Sequence, residues 1–342
     1  MSLFLTADEL GIQNHLCLLP YGEKSENPTW TTKKLEPYLH YLENGVKVDR
    51  MFNGLIFQAM SGRKNRYLYP MYAYLGQEAE KVDWNLAISR LFERKVNFDA
   101  AARNTAAGET TDIWVTLPYP MRTQTGFGRR ELNFKIEGDR FLALKWWIRK
   151  FLKRWNRATH LHDKLNFRGF VWPRASIDEI DGKLVRKVNA YIRLKGYMSL
   201  WLQQYGSAGC IKWQRFGFDA ACSHPNFYGA MGPDHKWINT ATIFAEHYNT
   251  GIQITAGKGA MYKDKLLLDY LDYGYDTGYM EKSLLVYQFP FQTMQDLIKQ
   301  HPDEYALLHS FINNSYKPAR KSSAIRRKRR SKKKVSRKNG ES

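Results

Sequence analysis

Cysteine is scarce in this chain. Cys17, Cys210 and Cys222 are the only three among 342 residues, and no two have metal-ligand spacing. Neither a disulfide framework nor a zinc site is expected. The odd count fits buried thiols in a reducing compartment, with a Cys210–Cys222 bridge as the alternative. Long apolar runs are missing too: no stretch reaches the roughly 18 residues of a membrane span. The opening Met1-Ser2-Leu3-Phe4-Leu5 lacks a basic stretch and a long apolar one, so no secretory leader is expected. No Gly-rich dinucleotide fingerprint follows the first apolar run, where residues 15–22 read His-Leu-Cys-Leu-Leu-Pro-Tyr-Gly. No cofactor is expected.

Apolar and aromatic residues are plentiful. Hydrophobic residues make up 43% of the chain, with 10 Trp, 21 Tyr and 18 Phe, enough for a large core and for rings at a cleft. Eight short apolar runs mark the chain, at 15–21, 52–60, 112–120, 167–173, 197–205, 218–224, 251–256 and 283–289. Pieces such as Leu55-Ile56-Phe57 and Ile113-Trp114-Val115 are apolar throughout, as parallel strands covered on both faces require. Helical spacing follows most of the runs, at 83–93 (with Asp83 as N-cap), 139–157, 181–194, 240–248, 262–273, 293–300 and 302–311. The alternation predicts a (β/α)8 TIM-like barrel over residues 1–316, a single domain. A doubly wound open sheet is the competing fold.

Charge is unevenly spread. Residues 317–342 hold thirteen Lys or Arg and one acid, Glu341, and so carry +12 of the net +20. This segment has almost no apolar surface to offset its ordering entropy, so it is expected to be disordered. Its blocks Arg326-Arg327-Lys328-Arg329-Arg330 and Lys332-Lys333-Lys334 suit a non-specific polyanion contact: nucleic acid, an anionic envelope polymer or anionic lipid. No aromatics interleave them, so base stacking is not expected. A polybasic end without a leader suits a cytoplasmic protein, a phage-encoded one included.

Two internal features have plain structural readings. In 140–157, Phe141, Leu144, Trp147, Ile148, Phe151 and Trp155 form one helical face. Lys145, Arg149, Lys150, Lys153, Arg154 and Arg157 occupy the rest. This is expected to be an outer barrel helix with a solvated basic face, rather than a membrane-surface helix. His160, His162 and Asp163 cluster before the fourth strand, at the non-catalytic end of a barrel, and are expected to be a surface loop.

Barrel ligands bind at the C-terminal strand ends. The candidates there are Tyr21, Gln58, Tyr119, Trp172, Arg174, Trp201, Gln203, Tyr205, His224, Asn226, Gln253 and Tyr287. Rings that stack on pyranose faces, beside amides that bond hydroxyls, suit a glycan. Glycoside hydrolysis usually needs two carboxyl groups across the scissile bond. Only Glu23 is an obvious strand-end acid. Asp219 lies early in its strand, and Asp178, Glu179 and Asp181 read as a helix cap.

The stretches Gly169-Phe170-Val171-Trp172, Trp201 through Gly209 with Trp213, Gly217-Phe218-Asp219, Pro225-Asn226-Phe227, Gly251-Ile252-Gln253-Ile254 and Tyr270-Leu271-Asp272-Tyr273-Gly274, with 112–120, carry a resemblance by their order and spacing. Over residues 12–316 the chain resembles the bacterial family known as domain of unknown function 4855. That resemblance implies a barrel related to glycoside hydrolases. It also implies a Glu after the fourth strand, where this chain has Pro173-Arg174-Ala175-Ser176, and Glu-Ile-Glu on the seventh, where it has Gln253-Ile254-Thr255. An amide keeps the shape of a carboxyl but cannot act as general acid or base near neutral pH.

The sequence thus predicts a glycosidase-like barrel turned binding or structural protein, with a glycan or other polar ligand at the strand ends. Two rivals stand beside it. One is an active hydrolase using Glu23 with Asp219, or a loop acid. The other is a nucleic-acid-binding protein acting through its tail.

Overall fold

In the computed structural model, which describes residues 4–70, 76–229 and 236–319, eight parallel strands hydrogen-bond into a closed ring. They are numbered β1 (Leu16–Tyr21), β2 (Gly54–Ala59), β3 (Thr111–Thr116), β4 (Leu165–Trp172), β5 (Met198–Gln204), β6 (Ala220–His224), β7 (Gly251–Thr255) and β8 (Leu285–Gln288). Each pairs with its neighbours in sequence, and β8 closes on β1 with Cys17 opposite Tyr287. The barrel expected from the sequence is the fold, and all eight runs fall on these strands with ends shifted by a few residues.

The longer helices are α1 (Thr32–Leu39), α2 (Lys81–Leu91), α3 (Phe98–Asn104), α4 (Glu137–Arg157), α5 (Glu179–Leu194), α6 (Lys236–Tyr248), α7 (Leu266–Thr277), α8 (Met294–Gln300) and α9 (Pro302–Ile312). α1 and α3 have no counterpart in the sequence reading; one carries an internal Pro37, and the other is only seven residues long. The β5–β6 connection is a 3-10 run, Cys210–Phe216, instead of an α-helix. Asp83 is not the cap of α2. Glu80 takes that place, and the Asp83 carboxylate accepts from the Glu80 N–H at 2.8 Å. α7 starts later than expected because Lys265 adopts a left-handed φ of 60° just before it. Asp178 caps α5 as expected, accepting from the Asp181 N–H at 3.0 Å.

α4 turns its apolar side to the sheet. Leu144, Trp147, Ile148, Phe151 and Trp155 are buried, and Phe151 lies 4.8 Å from Phe167 of β4. Burying one such ring contributes about 1.5–3 kcal/mol. The loop that follows is a structural one: His162 Nε2 donates to the Trp155 carbonyl at 3.1 Å. Among the described residues no three metal-ligating side chains converge, and no helix is long and apolar enough to cross a membrane. Cys17, Cys210 and Cys222 are buried free thiols. The basic blocks at 326–334 lie outside the described residues.

Strand residues alternate between the two faces of the sheet. Phe57 of β2 meets Phe98 of α3 at 5.2 Å, and Phe170 of β4 meets Phe151 of α4 at 5.4 Å. These positions therefore face the helices, and so do their register mates around the ring. The opposite set faces inward: Leu18, Ile56, Trp114, Val171, Leu200, Cys222 and Val286 fill the barrel. Glycine stands where inward side chains would collide. A Cβ on Gly54 would lie 2.5 Å from Leu16 Cδ2, and one on Gly251 would lie 2.7 Å from Cys222 Sγ. Asp112 closes the floor, its carboxylate accepting from the Gln13 N–H and from Arg168 Nε, each at 2.8 Å.

Gly169 interrupts the β3–β4 register, and a Cβ there would lie 1.9 Å from the Met198 carbonyl oxygen. That neighbour is backbone and cannot rotate away. Gly169→Ala is expected to lower stability by about 3 kcal/mol or more, read as a lower urea midpoint. An unchanged midpoint would mean that β4 and β5 do not approach this closely.

Candidate functional site

The C-terminal strand ends form the barrel mouth. Its inward positions carry no formal charge: Pro20 of β1, Gln58 of β2, Thr116 of β3, Val171 of β4, Gln204 and His224, which face each other across the β5–β6 register, Gln253 and Thr255 of β7, and Gln288 of β8. The Gln253 amide donates to Gln288 Oε1 at 3.0 Å. The Thr255 hydroxyl is buried and unpartnered among the described residues, so a ligand hydroxyl reaching it would satisfy both.

His224 has a defined tautomer. The Asn226 backbone N–H donates to its Nδ1 at 3.0 Å, so Nε2 carries the proton and acts as donor. Asn226 reaches that geometry through a left-handed φ of 58°. Burial lowers the ring's pKa from 6.5 to about 4, which keeps it neutral at physiological pH. Beside the mouth, the loop after β7 and the turn after β8 enclose a shallow apolar cleft of about 540 Å³ lined by Lys258, Gly259, Ala260, Met261, Tyr262 and Phe291. Phe291 is 78% exposed and holds a φ of 58°, a costly backbone region for a bulky residue.

Three of the residues expected at the site, Gln58, His224 and Gln253, face the mouth, with Asn226 just beyond. Others do not. Tyr21, Trp172, Trp201, Gln203 and Tyr287 stand on the helix-facing side and are buried. Trp201 stacks on Phe218 at 5.4 Å and donates from Nε1 to the Arg174 carbonyl at 2.7 Å. The Gln203 amide donates to Ser223 Oγ at 3.0 Å, and Tyr287 bonds His15 Nδ1 at 2.8 Å. Tyr205 packs on Trp237 and Phe244 of α6. Thr116, Gln204, Thr255 and Gln288 were not among the expected residues. The signal was the two-residue alternation: once His224 and Gln253 face inward, Gln204 and Thr255 must follow.

Tyr119 and Arg174 form a rim network. The Tyr119 hydroxyl donates to Asp181 Oδ2 at 2.7 Å, and Arg174 Nη1 reaches that hydroxyl at 3.1 Å and Asp181 at 3.2 Å. Arg140 completes it at 2.6 Å from Asp181 Oδ1, fully buried. Burial, and then the Asp181 charge, push the Tyr119 hydroxyl well above its usual range, so it stays a donor.

The two acids weighed as a catalytic pair lie at opposite ends of the barrel. Glu23 follows the C-terminal end of β1, where Arg90 Nη2 binds its carboxylate and Ser61 Oγ accepts from its N–H at 3.0 Å. Asp219 precedes β6 at the floor. Its carboxylate takes Arg193 Nη2 at 2.8 Å and the Ser199 N–H at 2.8 Å. No single glycosidic bond spans both.

A family model described as Domain of unknown function (DUF4855) matches residues 15–313. The chain belongs to the DUF4855 family. The DUF4855 match runs from just before β1 to just past α9, and so takes in the whole barrel. Among solved structures, this DUF4855 barrel is similar to a GH113 beta-1,4-mannanase, at 10% identity and TM-score 0.42 over 86% of this chain and 97% of that one. It is similar to TsXylA, an intracellular xylanase from Thermoanaerobacterium saccharolyticum JW/SL-YS485, at 10% identity and TM-score 0.42 over 82% and 86%. It is also similar to a tri-modular GH5 (subfamily 4) endo-beta-1,4-glucanase from Bacillus licheniformis, at 11% identity and TM-score 0.41 over 90% and 60%. No curated protein matches the chain.

The depressed His224 pKa makes a pH prediction. The unfolded imidazole, near 6.5, takes a proton that the folded one refuses until about pH 4. Stability is therefore full above pH 6.5 and falls as the pH drops towards 4. His15, lowered by burial to about 3, adds to the loss in the same direction. Urea midpoints at pH 7 and 4.5 are expected to differ less in His224→Gln than in the wild type. An equal difference in both would mean that the ring titrates normally.

Proposed function

We propose that this barrel binds a neutral, hydroxyl-rich ligand of the oligosaccharide class at its C-terminal mouth, and does not cleave it by the two-carboxylate route. The observation that carries this reading is the inward set Gln58, Thr116, Gln204, His224, Gln253, Thr255 and Gln288, which contains no Asp or Glu. Amides, hydroxyls and a neutral imidazole offer donors and acceptors side by side, which is what a sugar hydroxyl presents in return. None of them exchanges a proton readily near neutral pH, so protonating a leaving oxygen has no agent there. The exposed Phe291 ring beside the mouth suits stacking on a pyranose face.

A hydrolase built on Glu23 receives little support, because Arg90 and Ser61 tie that residue to the β1 and β2 loops. In this proposal the polybasic segment 317–342 serves separately, as a polyanion contact. A DNA affinity that falls steeply with salt would be its signature.

The test is calorimetric titration of the full chain with a panel of neutral oligosaccharides, each mixture also assayed for newly released reducing ends. A binder is expected that weakens by about 3–10-fold in Gln253→Ala and in His224→Ala, one hydrogen bond each, and is untouched by Glu23→Gln. No reducing ends should appear. Steady release of reducing ends, abolished by Glu23→Gln, would replace this reading with the hydrolase.

A further inference from the structure

The apolar face of α4 is absorbed by the core, but its basic face is not. Lys150, Lys153, Arg154 and Arg157 sit at i, i+3, i+4 and i+7, along one side of the helix. With Arg94 and His160 they line a cleft of about 590 Å³ on the outer wall, beside α2 and α3 and away from the barrel mouth. Its floor is apolar, made by Ile88, Phe92, Ala158 and Leu161. Its one acid, Asp99, is already taken: Arg103 Nε lies 3.0 Å and the Lys95 N–H 2.6 Å from its Oδ2.

Elsewhere in the chain several arginines are answered by acids. Arg50, Arg63, Arg66, Arg90, Arg140, Arg168, Arg174 and Arg193 each pair with a carboxylate. In the cleft, Arg154 bonds Ser89 Oγ at 3.1 Å and lies over the Phe92 ring. Arg94, Lys150, Lys153 and Arg157 make no ion pair among the described residues. Burial, and then Lys81 and Arg154 nearby, hold the Lys150 ammonium below its usual range. Cations crowded around a concavity repel one another, and an anion seated among them would reverse that term.

We propose that this cleft binds a compact, multiply phosphorylated small molecule. Lys150 and Arg157 are separated by about 10 Å along the helix. The long Lys and Arg side chains can converge across that distance on a chain of two or three linked phosphates, whereas a nucleic-acid strand overruns it. The cleft has the volume typical of small-ligand sites, and its apolar floor leaves room for a non-phosphate group. Arg94 and Arg157 supply flat guanidinium forks, and Lys150 and Lys153 supply mobile point charges.

The full chain is titrated calorimetrically with inorganic tripolyphosphate at physiological ionic strength, beside a Lys150→Ala/Lys153→Ala/Arg157→Ala variant. All three side chains are exposed, so the variant should keep the wild-type melting curve. Both proteins carry the polybasic tail, so the difference between them reports the cleft. One bound equivalent in the wild type, at least about tenfold weaker in the variant and retained in Lys153→Arg, is the expected result. Equal binding by wild type and variant overturns the proposal. A short oligothymidylate that binds at lower phosphate concentration than tripolyphosphate, and loses that binding in the variant, overturns it in favour of a nucleic-acid strand.

Discussion

A closed ring of parallel strands leaves each strand residue two destinations, the barrel or the helical layer, and hydrogen-bond register makes that choice for all eight strands at once. Phe57 against α3 and Phe170 against α4 fix the outward set. Everything at the mouth depends on this. Gln204 falls on the inward face while Gln203, one residue earlier, is sealed against Ser223. The large rings Trp172, Trp201 and Tyr287 fall on the helix-facing side and become packing. Beside the apolar Pro20 and Val171, the mouth is left with amides, hydroxyls and one imidazole.

The charged groups at the strand ends serve the scaffold instead of the mouth. Arg140, fully buried, meets an equally buried Asp181, and Tyr119 and Arg174 complete that carboxylate's partners. Removing Arg140 alone would leave the buried Asp181 carboxylate with only the partly exposed Arg174 as counter-charge, and breaking a buried pair from one side is where such pairs show their largest effect. Arg90 does similar work on the other side of the mouth, joining Glu23 to the Ser61 and Gly62 carbonyls. These networks hold the loops after β1, β2, β3 and β4 and spend the nearby acids on guanidinium groups.

The fold was legible because nearly every strand is a short apolar run and most are followed by a helical pattern; α4 was legible from its stripe of Trp and Phe. The site was legible only in part, and the reason is physical. A strand buried on both faces shows no polar alternation, so the sequence does not say which of two neighbours points inward. Aromatic residues at strand ends resemble sugar platforms, yet here they are the residues best able to fill the gap between sheet and helices. The glycines held a usable clue. Gly54 and Gly251 lie on the inward face, where Leu16 and Cys222 leave no room for a Cβ, and counting in twos from them reaches Gln58 and Gln253. Asp219 was legible as a floor residue from its position ahead of β6.

The two proposed sites, the mouth and the α4 cleft, differ in the ligand chemistry they would suit. The mouth holds no formal charge at its inward positions, and its histidine stays neutral until about pH 4. In the proposed reading it would recognise a ligand by donor and acceptor geometry, which is short in range and little affected by salt. The outer cleft gathers five Lys or Arg around an apolar floor, and its attraction acts at a distance and is screened by ions. Residues 1–316 still carry +8 of the net +20, which favours the approach of anions, so local structure must set which site suits them. Amides and hydroxyls offer a phosphate no counter-charge for its desolvation, whereas the cleft offers several. The same excess of positive charge is therefore compatible with a neutral ligand at one site and an anionic one at the other.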